Sequence, residues 1–219
     1  MNYFLSKEES NFYEDEGYLV RENQFSINEV NALRHALERA VNKAQEKASD
    51  GKVYYLDKKK FVDVDYMTLQ YEPQSDDNTL KVIEPAHFLD KELYSLTQDT
   101  RITDPVRSIL EEDEISLWTD KLNLKRPGRG SGFGWHQDSP YWVHDSNNVD
   151  LLPNVYLSLD NADENNGCFR VIRASHKEGC LPGTSNGTQL GGFYTDPNYF
   201  NETDAVDFHI KAGSLVFFN

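Results

Sequence analysis

Residues 132 to 142 read GFGWHQDSPYW, and within them His136 and Asp138 stand two positions apart. Along an extended strand, positions i and i+2 project to one face, so an imidazole nitrogen and a carboxylate oxygen can converge on one ion while Gln137 points away. One histidine and one carboxylate are two of the three donors of the facial triad that holds iron(II) in non-haem oxygenases, a geometry that leaves positions open for a co-substrate and oxygen. By itself such a pair carries little weight in a chain with six histidines and 37 acidic residues. His144 and Asp145 follow in an expected loop and could join His136 in a different, zinc-like cluster, although no C-x2-C or H-E-x-x-H spacing supports one. His209, two positions after Asp207, is a further candidate donor.

The elements that must position these residues fall into two stretches of different character. In the first, Ser26 and Glu29 form the reciprocal capping pattern that opens a helix, expected over about 27 to 48. Val30, Leu33, Leu37, Val41 and Ala44 recur at spacings of three and four, so one stripe faces a core and His35 belongs to the solvated scaffold. VYYLDKKKFVDVDYMTLQYEP, starting at Val53, reads as one or two strands. A second helical region is expected over about 88 to 110, broken near TRITDP, where Asp104 caps and Pro105 takes the first helical position. His87, just before it, reads as a loop or cap residue. After Ser116 the helical periodicity gives way to short extended runs: SLWTDKLNLKRP, GFGWHQD, NVYLSLD, GCFRVIRAS, DFHIKA and GSLVFFN. Short strands separated by Gly, Pro and Asn turns predict an antiparallel β-sandwich or barrel.

Bulk properties restrict the partners. A formal charge of −15 over 219 residues disfavours nucleic acid and anionic membrane and leaves small molecules as the expected ligands. No apolar run is long enough to span a bilayer, and the start MNYFLSKEES lacks the basic and apolar regions of a signal peptide, which predicts a cytoplasmic protein. Two cysteines, Cys168 and Cys180, are expected as free thiols.

Several motifs in order are more specific than His-x-Asp: a Lys-x-Pro-Gly turn at Lys125 to Gly128, the Trp-His-Gln-Asp run, an Asn-Asn-Gly-Cys turn ending at Cys168, and Ser-His-Lys at Ser175 to Lys177. With them, LNLKRPGRGSGFGWHQDSPYW followed by NVYLSLDNADENNGCFRVIRASHKEG resembles the phytanoyl-CoA dioxygenase family, which includes the ectoine hydroxylases. NFYEDEGYLVRENQFSINEVNALRHALE resembles the same family's N-terminal strand and helix, so the resemblance covers nearly the whole chain. It implies one oxygenase domain over 1–219, with a helical arm and flanking strands over 1–112 and a cupin-like double-stranded β-helix, or jelly roll, over 113–219. The fold class is thus mainly β with a helical N-terminal arm. The implied cofactors are Fe(II), 2-oxoglutarate as co-substrate, and O2. The implied reaction hydroxylates a C–H bond of a small molecule with release of succinate and CO2.

Carried over residue by residue, the resemblance makes His136 and Asp138 iron ligands and catalytic residues. Asn123, with Lys121 on the same strand face, and Phe133 and Tyr156 fall where the family contacts 2-oxoglutarate. Gln137, Tyr141 and Trp142 are candidates for the prime substrate, and His176 of Ser-His-Lys is structural. In the family a third, distal histidine follows the strand resembling AGSLVFFN, and an arginine that pairs with 2-oxoglutarate follows it. Residue 219 precedes both. An apolar terminal run at Leu215 to Phe218 would leave an open edge, which predicts that the last strands of the roll lie in about 40 to 80 further residues. Two other readings remain at this stage: a catalytically silent β-helix binding domain, and a cupin-type metal-dependent hydrolase or isomerase using His136, Asp138 and His144 or His209.

Overall fold

The run at Leu215–Phe218 is a strand with neighbours on both sides. The computed structural model describes residues 2–73, 78–142, 149 and 152–219. In chain order the elements are α1 (Lys7–Glu16), β1 (Tyr18–Arg21), α2 (Ile27–Ala48), β2 (Lys52–Leu56), β3 (Lys59–Val64), β4 (Met67–Tyr71), β5 (Leu80–Glu84), α3 (Lys91–Leu96), α4 (Thr100–Leu110), β6 (Leu122–Asn123), α5 (Ser139–Trp142), β7 (Asn154–Leu157), β8 (Arg170–Ile172), β9 (Ala205–Asp207) and β10 (Leu215–Phe218). They form two compact units, each drawn from separated stretches: Met1–Ile27, Thr100–Ile115 and Gly134–Asn219 in one, Asn28–Asp99 and Ser116–Phe133 in the other. The division therefore does not fall at one point near residue 112.

In the first unit β10 is the middle strand of the antiparallel sheet β1-β10-β7, with Tyr18 opposite Phe218 and Leu157 opposite Leu215. The open apolar edge expected of Leu215 to Phe218 does not exist, because β1 and β7 satisfy the hydrogen bonds on its two sides. Leu215, Val216 and Phe217 are fully buried. Val216 joins Phe208 and Ile210 in a cluster against which Tyr18, Tyr156, Phe169 and Phe218 pack. A second ribbon pairs β8 with β9. The strand expected at DFHIKA is thus displaced toward the N-terminus, and Ile210 makes only an isolated bridge to Ala162. Ahead of β1, α1 is opened by a capping box between Ser6 and Glu9 and closed at Gly17, whose φ of 79° suits a residue without Cβ.

The second unit carries the expected helix over Ile27–Ala48, whose buried face is Val30, Leu33, Ala36, Ala40, Val41 and Ala44. Leu37 is only half-buried, since the small alanines at the adjoining positions complete the stripe. Beyond it runs the antiparallel meander β2-β3-β4-β5-β6. The segment from Val53 makes three strands rather than one or two. Its turns hide among residues that look strand-compatible: Asp57 and Lys58 take φ of 47° and 66°, and Asp65 takes 52°, left-handed conformations that aspartate tolerates better than most residues.

The helical region after His87 is broken earlier than expected. Of its two helices, α4 starts at Thr100 and carries Pro105 inside it rather than at its first position. Asp104 does not cap; it is buried and accepts hydrogen bonds from the Tyr3 amide at 3.3 Å and from Arg107 at 3.2 Å. His87 opens a short 3-10 turn, with Nδ1 2.5 Å from Asp120 Oδ1, in line with the loop or cap role.

Among the described residues no helix is long and apolar enough to cross a membrane. Because β10 is central and Phe217 is fully buried, Phe217→Ala is expected to cost about 3 to 5 kcal/mol of stability. His35→Ala, on the exposed side of α2, should stay within about 0.5 kcal/mol. Urea denaturation of the two variants checks both.

Candidate metal centre

The GFGWHQD run is not a strand. From Gly134 on, its groups are tied to loops of the first unit rather than to a ladder. Gly134 packs so closely on Tyr194 that a Cβ would lie 2.7 Å from ring carbon Cδ1, so no larger residue fits without moving the ring. The Trp135 carbonyl accepts from the Thr195 amide at 2.9 Å, and its ring lies 5.9 Å from that of Phe200 and under the Arg170 guanidinium at 5.2 Å. Gln137 is tied at both ends: its amide nitrogen donates to the Gly179 carbonyl at 2.9 Å and its oxygen accepts from the Leu181 amide at 2.7 Å.

These ties fix the two residues between and beyond them. His136 Nδ1 is 2.8 Å from the Gly134 carbonyl, a contact that requires the proton on Nδ1 and so puts the ring's lone pair on Nε2, the nitrogen that could ligate a metal. Nε2 lies 3.6 Å from Asp138 Oδ1, with the two side chains 31% and 17% exposed. The two side chains thus approach each other without the strand alternation from which their convergence was expected. Adjacent donors about 2.1 Å from one ion subtend about 3 Å at a right angle, so the pair needs only a small closure to share a metal. Among the described residues no third His, Cys, Asp or Glu joins them.

Tyr156 lies on β7 in the same unit, its ring stacked on Phe169 at 5.4 Å and its hydroxyl 3.4 Å from Ser158 Oγ. Burial pushes its phenol pKa up, which keeps the hydroxyl a neutral donor. Trp142 ends α5 and is half-buried; the Tyr141 side chain, and His144 and Asp145, lie outside the described residues. His176 Nε2 is 3.0 Å from the Glu14 carbonyl at the end of α1, a structural tie as expected. His209 does not accompany His136: its Nε2 is 3.0 Å from Glu164 Oε2, and it clusters with Cys168 and Asp207. Both cysteines are free thiols.

The remaining candidates belong to the second unit. Asn123 on β6 pairs with Val82. Lys121, Asn123 and Lys125 are exposed while Leu124 is buried, the alternation read from the sequence, and Lys121 Nζ is 3.9 Å from Glu84 Oε2. Phe133 lies under an ammonium that sequence reasoning missed: Lys81 Nζ is 4.0 Å from its ring centroid. Lys81 is 3% exposed and donates to Ser131 Oγ at 2.7 Å and the Gly132 carbonyl at 3.0 Å, while Glu72 accepts from Ser131 Oγ at 2.6 Å. One cation amid the apolar residues of LKVIE was the available signal.

With this geometry established, the whole stretch 13–219 matches the phytanoyl-CoA dioxygenase (PhyH) family. The chain belongs to that family. It is 30% identical over 172 residues to a probable alpha-ketoglutarate-dependent hypophosphite dioxygenase of Stutzerimonas stutzeri, covering 78% of this chain and 53% of that protein. It is 29% identical over 175 residues to an ectoine dioxygenase of Sphingopyxis alaskensis, covering 79% and 50%. The chain thus spans about half the length of these curated relatives. Crystal structures of EctD from S. alaskensis, one with bound Fe and one with 2-oxoglutarate and 5-hydroxyectoine, superpose with TM-scores of 0.69 and 0.71 at 24% and 23% identity. They cover 98% of this chain and 68% and 67% of those chains. The fold is accordingly the double-stranded β-helix of these proteins.

Burial, with Lys59 and Lys125 nearby, pushes the Lys81 pKa down from 10.5 to about 8, against the opposing pull of Glu72. Below about 8 the folded state carries a disfavoured buried charge. Between about 8 and 10.5 the unfolded chain holds a proton that the folded one has shed, so stability rises with pH across that window. Relative to Lys81→Met, the wild type should gain up to about 3 kcal/mol between those limits, measured by urea unfolding at a series of pH values. A flat difference would remove the burial penalty.

Proposed function

We infer that the protein is an iron(II)- and 2-oxoglutarate-dependent dioxygenase that hydroxylates a C–H bond of a small molecule, releasing succinate and CO2. The observation that carries this reading is the 3.6 Å approach of His136 Nε2 to Asp138 Oδ1 in a chain of the phytanoyl-CoA dioxygenase family. One imidazole and one carboxylate fit iron(II) with room for a chelating co-substrate and oxygen, and they fit it better than a soft ion, since neither donor is sulfur. Bound there with O2 and 2-oxoglutarate, iron would supply the oxidising power for hydroxylation while the protein selects the carbon presented.

The chain's own residues have three tasks. His136 and Asp138 would hold the metal, and the Gly134 carbonyl keeps the imidazole in the tautomer that can ligate it. Gln137 is assigned to substrate contact by the resemblance; its two backbone bonds to Gly179 and Leu181 support a positioning role for its amide, as the latch that fixes the ligands on either side. Tyr156, a neutral phenol, is proposed to donate to 2-oxoglutarate, and Trp142 with Tyr141 to contact the prime substrate. For Asn123 and Phe133 the assignment to 2-oxoglutarate rests on the resemblance, and for Lys121 on its sharing a strand face with Asn123. The third metal donor and the arginine for the far carboxylate are proposed to lie outside the 219 residues. A net charge of −15 favours a small polar substrate over an anionic thioester, and the free thiols suit a reducing cytoplasm.

Anaerobic iron(II) titration with and without 2-oxoglutarate tests this reading on the 219-residue chain and on the full product of its gene. The expected result is a weak visible charge-transfer band of the chelate in the full product, lost in Asp138→Ala and in His136→Ala. No band in either protein, or one indifferent to Asp138→Ala, would leave the domain as a catalytically silent binding scaffold.

A further inference from the structure

Outside the His136–Asp138 pair, the β8–β9 ribbon presents a different set of donors. Phe169, immediately before β8, and Phe208, immediately after β9, face the core, with centroids 5.7 Å apart and the Phe208 amide donating to the Phe169 carbonyl at 3.0 Å. Alternation then turns their neighbours Cys168, Arg170, Asp207 and His209 to the opposite side. There Cys168 Sγ, an Asp207 carboxylate oxygen and a ring nitrogen of His209 lie within 4.8 Å of one another. Glu164 Oε2 is 3.0 Å from His209 Nε2, and the Arg170 guanidinium donates to Asp207 Oδ1.

We propose that this face is a metal site for a borderline-soft divalent cation of the zinc class, bound by Cys168, Asp207 and His209, with Glu164 as fourth donor. Sulfur, imidazole and carboxylate together select such an ion over magnesium or calcium, which take oxygen alone. Backbone contacts place two of the donors. Asp207 is fixed opposite Arg170 in the strand register, and Cys168 closes a turn in which its amide donates to the Asp163 carbonyl at 3.0 Å. Arg170 occupies one carboxylate oxygen of Asp207 and orients the other, the role that outer partners play around metal ligands. Charge also closes: a thiolate, two carboxylates, one guanidinium and a dication sum to zero. Burial and the Asp207 carboxylate push the Cys168 thiol pKa up, so binding releases the thiol proton to solvent as the Sγ–metal bond forms. The sulfur donor separates this site from the His136–Asp138 pair, on which the proposal does not depend.

Cobalt(II) titration of the chelator-treated protein, in the Asp138→Ala background so that the nitrogen–oxygen pair contributes nothing, gives the test. The expected result is a thiolate-to-cobalt charge-transfer band that saturates at one equivalent and is displaced by zinc(II). Cys168→Ser should abolish the band and Cys180→Ser leave it unchanged. Since His209 is exposed and its removal spares the core, His209→Ala should keep the fold and weaken affinity by at least about tenfold. Absence of the band, its persistence in Cys168→Ser, its loss in Cys180→Ser, or full affinity in His209→Ala would each overturn the proposal. If Cys168→Ser fails to fold by circular dichroism, the His209→Ala affinity decides alone.

Discussion

The first unit depends on satisfying β10 from both sides. An apolar strand with Leu215, Val216 and Phe217 fully buried is tolerable only when every backbone donor and acceptor has a partner, and those partners come from β1 near the start of the chain and from β7. Once that sheet is in place, Tyr156 of β7 is fixed against Phe169, and Phe169 against Phe208 and Phe218. The stack continues into the β8–β9 ribbon, so the position of one strand is passed on, ring by ring, to the ribbon's outer face.

The run around His136 and Asp138 shows a different economy. A strand would have aimed His136 and Asp138 by its pleat. Here the aim comes from separate ties on Gly134, Trp135 and Gln137 to the 179–195 stretch, and each side chain is set by contacts of its neighbour. Such an arrangement frees the two side chains from a ladder's fixed spacing, at the cost of depending on an irregular loop being correctly folded.

Much of the fold was legible because its signals are local. The α2 boundaries followed from Ser26, Glu29 and the stripe through Val41, and most β-strands from short extended runs between turn residues. What was not legible had no local mark. Asp57, Lys58 and Asp65 adopt left-handed turns without glycine, so the two hairpin turns were hidden in a segment that read as one or two strands. Pro105 looked like a helix start because its missing donor is harmless there, whereas tertiary packing carries α4 through it. The pairing of β10 with β1 is invisible in sequence, since neither strand carries information about its distant partner, and the apolar run therefore looked like an exposed edge. At the site, the His-x-Asp spacing was readable, but Lys81 was not, because a lysine's burial is decided by the strands beside it.

The order of the strands has a consequence for how the polypeptide acquires its shape as it leaves the ribosome. The β2-to-β5 meander joins consecutive segments and can zip up as soon as each hairpin emerges. β1 emerges earlier than any of it, yet its hydrogen-bonding partner β10 is made after every other strand described. Throughout translation of everything between Arg21 and Leu215, this short strand, four residues long and closed by the charged Arg21, must wait without its β10 partner. Its brevity and its terminal charge are the features by which nascent edges resist pairing with the wrong chain.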